Sequence, residues 1–413
     1  MRLSAFAAVT MVAAATLAAA PTGAAAQGYE APPSFNAAKI AGIERVGGNY
    51  SILNPVGSDG FLRTYRLQTK FGEFAIRGDD MVKLRINELR ALALLEQVSH
   101  SKTFAEALAK AGISPLKFAG ELIVKPVDTV KNTLSGVGAV FGRIGSGISN
   151  AGQSPDNALA SIIGVTSERR EIAAAYGVDP YTDFPPLDEK LKQLSQAAAL
   201  GGLTVTGALL AVPGAAGIVA SNLSTVTKVS NLGVEELARK YTGAQILDVN
   251  RDLLTKMGVP AELNARLLAN RNYTPIDMLA MVAALDSMKG VGDRVVFAER
   301  AAAADQRDIA YYFRRQAELL ALEQRRRGGM VRFVSLVGDP FVVMRDGRIV
   351  TLAPIDALSW TRPTAEGLGA ITAARKEIAP KSAGEIRITG MATPLARKQL
   401  KVMGWKLVEG VRL

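Results

Sequence analysis

From Gln193 to Thr227 the chain runs for 35 residues without one charged side chain, although 21% of the whole sequence is charged. Such a run can cross a bilayer, lie against one, or close the core of its own protein. Crossing needs about 20 predominantly apolar residues, and 197–219 has that length. Its composition argues otherwise. Gly201, Gly202, Gly207, Gly214 and Gly217 dilute it, and Pro213-Gly214 interrupts any helix that would have to continue. Lys190 and Lys192 on one side and Lys228 on the other set no orientation. The expectation is two short apolar helices bent at Val212-Pro213-Gly214, a hairpin over about 197–222 that packs inside a helical domain. Its rivals are a hairpin that inserts into a membrane and a self-association surface.

A second apolar pattern precedes it. Ile123, Val127, Val130, Leu134, Val137, Phe141, Ile144 and Ile148 recur at alternating spacings of four and three, a heptad seam on an amphipathic helix over about 116–148. Gly136, Gly138, Gly142, Gly145 and Gly147 interrupt it, each costing a helix about 1 kcal/mol relative to alanine. The seam is therefore expected to need a covering surface, either a close-packed helix or a membrane, the remaining alternative being a partly unfolded loop.

The first 26 residues have the form of a secretory signal. Arg2 gives the positive start, "AFAAVTMVAAATLAAA" the apolar stretch, and Ala24 and Ala26 the small residues before a mature start at Gln27. This bacterial style of leader implies a periplasmic location, with membrane association as the alternative. The chain has no cysteine, so disulfides cannot stabilise it. Of the 49 basic and 38 acidic residues, 13 and 7 fall within 330–413, making that the basic region. It reads first as a solvated surface that keeps the protein soluble; as a binding surface on an exported protein it suits anionic lipid headgroups, lipopolysaccharide or acidic polymers rather than nucleic acid, or another envelope protein.

The remaining segments give a mainly α, multi-helical fold with a short N-terminal β-hairpin and a small C-terminal α/β domain. The boundaries expected are a signal at 1–26, hairpin plus helices at 27–112, a helical domain at 113–329 and the α/β domain at 330–413. "FLRTYRLQT" and "GEFAIRG" alternate as hairpin strands. Asp79 or Asp80 is placed as the cap of a helix whose leucines recur at helical spacing, and Thr103 with Glu106 as the next capping box. A helix over "TSERREIAAAY", a turn over "GVDPYTDFPPL", helices resuming at Asp188 and a long helix from about Val291 to Arg327 follow. Beyond Gly329, "MVRFVSLV" and "PFVVMRDGRIVTLAP" read as strands turning at Asp346-Gly347. A helix, the strand "EIRITG", a helix opened by Thr393-Pro394 and "WKLVEGV" complete a strand-helix-strand order with a parallel pair.

Spelling excludes several chemistries. "GVGAVFGRIGSGIS" fails the dinucleotide fingerprint at Phe141, and Ile148 stands where a P-loop needs lysine, so no nucleotide cofactor is expected. His100 is the only histidine, which rules out histidine-pair zinc motifs. Asp179 and Asp183 read as turn formers rather than metal ligands. Ser99 to Lys102 and Ser114 to Lys117 both spell S-x-x-K, but the accompanying K-T-G motif is absent. No catalytic residue, cofactor or metal is assigned. The best ligand position is the turn before Thr393, where a helix N-terminus favours anions and Arg397, Lys398 and Lys401 follow. The function expected is a non-enzymatic, exported envelope or periplasmic binding or structural protein. The alternatives are a protein inserting 197–222 and 116–148 into membrane, and an envelope hydrolase.

Overall fold

The structure, a computed structural model, describes residues 28–110, 165–201 and 233–412. The signal segment, the seam from Ile123 to Ile148 and all but the first five residues of the 197–222 hairpin lie outside the described residues. No helix among the described residues is long and apolar enough to cross a membrane.

The N-terminal region is more than a hairpin. Strands β1 (Val46–Gly47), β2 (Tyr50–Ile52), β3 (Gly57–Ser58), β4 (Arg63–Thr69) and β5 (Gly72–Arg77) form a five-stranded antiparallel sheet. In β4 the period of two sends Tyr65, Leu67 and Thr69 inward. Helix α1 (Asp79–Ser99) packs on this core through Leu89, Leu92 and Leu95, all fully buried. Its cap is Gly78, at φ 93°, and Asp79 and Asp80 occupy the first turn. In α2 (Lys102–Lys110) the capping hydroxyl belongs to Ser101, which accepts from the Phe104 amide at 3.2 Å.

Helices α3 (Ser167–Ala175) and α4 (Pro185–Gly201) complete this core, α4 starting three residues before the expected Asp188. Ala197 and Ala198, the first residues of the apolar hairpin, are buried there. Next come α5 (Val234–Lys240), α6 (Gly243–Lys256), α7 (Ala261–Leu268), α8 (Pro275–Ser287), α9 (Val295–Ala302) and α10 (Arg307–Arg327). The single helix expected over 291–327 is thus two. The buried Asn270 amide donates to the carbonyls of Ala302 and Ala304, and Asn272 donates to Ala304, so α9 is capped where a longer helix would continue.

The C-terminal sheet comprises β6 (Met330–Leu336), β7 (Asp339–Met344), β8 (Ile349–Ala353), β10 (Gly384–Ile388) and β12 (Trp405–Val408), in the order β12-β10-β8-β7-β6. β8, β10 and β12 are parallel, connected through α11 (Arg362–Ile378) and α12 (Pro394–Val402); β6 and β7 are antiparallel. Short β9 (Ala357–Leu358) and β11 (Met391–Ala392) pair beside them. With twelve α-helices and three sheets among the described residues, two of them five-stranded, the chain is a mixed α/β protein, and the mainly α expectation is corrected. The mismatch has a physical source: β1, β2 and β3 span only two or three residues each, too few for alternation to register in sequence.

The two sheet regions are tied directly. Asp356, buried ahead of β9, accepts from the backbone amides of Arg63 and Asp79 through one oxygen, and its own amide donates to Phe61. Phe61 and Leu62 thereby join the large core that runs from α6 to β12.

Candidate functional site

Helix α10 places Tyr312, Phe313 and Gln316 on one side, since residues four apart share a face. These three close a cavity whose other walls are Phe61, Pro340 and Phe341, Thr351 and Ala353 of β8, Ile355, Leu358, Leu368 and Ile371 of α11, and Ile386 of β10. It is partly open to solvent and mostly apolar, with room for one or two waters in this state. Its polar end is Asp339, the first residue of β7. One carboxylate oxygen accepts from Arg300 Nε at 2.8 Å, while Oδ2 is buried with no partner. Burial pushes the Asp339 carboxyl up to about 6 despite the opposing Arg300 charge. Gln316, 3% exposed, turns its amide nitrogen toward Thr351 Oγ1 at 3.5 Å and leaves Oε1 buried without a partner. Two residues lining one apolar chamber thus each carry an orphaned acceptor. Buried acceptors without donors are unfavourable by about 1–3 kcal/mol each, so this arrangement calls for a hydrogen-bonding occupant.

A second polar concentration lies where α1, the 177–184 turn, α8 and α10 meet. Arg85 pairs with Glu88 at 2.6 Å and Asp183 at 2.5 Å; Arg307 pairs with Asp183 at 3.1 Å and Asp277 at 2.6 Å. Arg314 joins Asp277 at 2.5 Å to Glu318 at 3.0 Å, and Arg315 joins Glu318 to Asp80. Asp179 Oδ2 accepts from the Thr274 hydroxyl at 2.5 Å and Oδ1 from the Tyr181 amide. Burial, reinforced by the Asp277 charge, raises the Asp179 carboxyl to about 7. Burial also raises Asp277, but Arg307 and Arg314 outweigh it and hold that carboxyl below its ordinary range. Six carboxylates thus meet four arginines, and burial raises Glu88 as well as Asp179. Because the arginines of α1 and α10 tie acids from α1, the 177–184 turn and α8 to α10, the cluster acts as a structural weld. Among the described residues no group of three metal-ligating side chains occurs, and arginines hold Asp183.

The chain matches no protein-family model, and no curated protein or solved structure matches it.

The residues singled out by sequence fall elsewhere. Thr393 caps α12 as expected, but the anion beside it belongs to the chain itself. The Thr393 hydroxyl donates to Glu30, whose carboxylate also accepts from the Trp360 amide at 2.5 Å. Arg397 is bound by Glu409 at 2.8 and 2.9 Å, whereas Lys398 and Lys401 are exposed. Ser99 does not meet Lys102, which is 92% exposed beside Glu106. It meets Lys190 of α4, whose Nζ lies 3.3 Å from Ser99 Oγ. The cavity acceptors were missed. Asp339 stands alone in the apolar run "VGDPFVVM", and a single acid in a buried strand was the available signal.

Proposed function

We propose that this is an exported binding protein of the bacterial envelope whose ligand is a small, largely apolar molecule seated in the Asp339 cavity. The observation that carries the reading is the pair of orphaned acceptors, Asp339 Oδ2 and Gln316 Oε1, on side chains that line an apolar chamber. The signal-like first 26 residues support export. The basic C-terminal region supports contact with anionic envelope components. Thermal unfolding of the purified protein across a panel of small alcohols and amides tests the binding. At about one hundred times its Kd a ligand adds about 2.7 kcal/mol of stability, a shift of several degrees. A flat response across the panel contradicts the reading. Cell fractionation of the full chain tests export separately, with recovery in the cytoplasm as the contrary result.

One observation favours a second reading, an envelope hydrolase. Burial lowers the pKa of Lys190, which reaches the Ser99 hydroxyl. Ser99 Oγ would add to an ester carbonyl as its proton passes to Lys190, which then protonates the departing alcohol; water, deprotonated by Lys190, releases the acid. Labelling of Ser99 by a fluorophosphonate, lost in Lys190→Met and kept in Lys102→Met, supports it. Absence of labelling removes it.

A further inference from the structure

We infer that the Asp339 cavity selects a neutral head group carrying hydrogen-bond donors, a primary amide or hydroxyl, over an ammonium or a carboxylate. The inference rests on the ligand-binding reading above and narrows its ligand class. Both orphaned atoms are acceptors, so the head must donate. A donor could be charged or neutral, and the surrounding charges decide between them. Asp339 is already balanced by Arg300 at 2.8 Å. Every other wall residue is uncharged, with Gln316 and Thr351 the remaining polar side chains apart from the Tyr312 phenol. An ammonium would therefore leave one uncompensated positive charge beside Arg300 in an apolar chamber, where desolvation is least repaid. A carboxylate meets a worse arrangement, because it brings acceptors to acceptors and a negative charge to Asp339. A primary amide offers two N–H groups, matching the two orphaned oxygens, while its carbonyl can accept from the Thr351 hydroxyl.

The chamber holds only one or two waters as it stands, so the probe body must be short. Saturation-transfer NMR titration at neutral pH with formamide, methanol, methylammonium and formate compares four heads on one carbon, at two or three heavy atoms each. The amide is expected to bind best, and about ten-fold tighter than the ammonium or the carboxylate. In Asp339→Asn the carboxylate that balances Arg300 is gone, so formate is expected to gain on formamide. Gln316→Leu, which removes the other acceptor without touching that ion pair, is expected to reduce the amide's advantage. Binding of all four probes within about three-fold in the wild-type protein overturns the selectivity while leaving the cavity reading intact. Binding of none overturns both.

Discussion

Asp356 and Asp79, 277 positions apart, are joined by a 2.9 Å hydrogen bond from the Asp79 amide to Asp356 Oδ2, which also accepts from Arg63 at 3.0 Å. Burial and then the Asp79 charge raise the Asp356 carboxyl well above its ordinary value. Asp356→Ala leaves two amides unsatisfied and is expected to cost about 2–4 kcal/mol in urea unfolding. Asp356→Asn keeps an acceptor oxygen. Because a raised carboxyl contributes stability at low pH and loses it as pH rises, the asparagine variant should compare best with wild type at alkaline pH.

Asp179 sets a pH dependence of the same sign. Its folded value of about 7 exceeds the ordinary 3.8, so its contribution is fully present below about pH 4 and is lost as pH rises through 7. Asp183 opposes it at the acid end. Burial raises this carboxyl, but Arg85 and Arg307 lower it further, so its contribution disappears only in strong acid. Urea midpoints measured from pH 5 to 8 should fall in the wild-type protein. Asp179→Asn should flatten that slope; an unchanged slope counts against the assignment.

Arg314 is 3% exposed and links Asp277 to Glu318, both at least as deeply buried. Arg314→Met strands part of two buried charges and is expected to cost about 3 kcal/mol. Combining it with Asp277→Asn should cost less than the sum of the two single changes, because the partner charge is removed as well. Denaturant unfolding of the four-member cycle provides the check.

Val337 and Gly338 both have positive φ, 54° and 86°, in the turn between β6 and β7. A two-residue hairpin turn of this hand suits Asn-Gly, whereas a β-branched residue is strained there. Val337→Asn is expected to stabilise the protein by about 1 kcal/mol, measured as a higher Tm. A lower Tm would mean that the partly buried Val337 side chain contributes more packing than the turn costs.

Strongly periodic local features were legible in the sequence. The β4–β5 pairing, the turn at Asp346-Gly347, the Thr393 cap and the parallel β10–β12 pair all follow from side-chain alternation, turn residues or capping chemistry. What was not legible depends on distant partners. Alternation cannot reveal two-residue strands such as β1 and β3, nor can helical spacing show Asn270 ending α9 from another segment. The cavity is of the second kind: Asp339, Gln316 and Phe61 come from three separate segments, and only the fold brings two side chains with unpartnered acceptors to one apolar lining. Sequence identified Ser99 but gave it Lys102, the neighbour in spelling, where the fold supplies Lys190 from α4.

Ala353, 4% exposed on the cavity wall, allows the most direct test. In Ala353→Leu three added carbons fill the chamber while Asp339 and Gln316 themselves are unchanged. Formamide titrated into wild type and Ala353→Leu, followed by saturation-transfer NMR, should show saturable binding to the first and none to the second, with the variant still folded. Equal binding to both proteins would place the ligand outside the cavity and contradict the account.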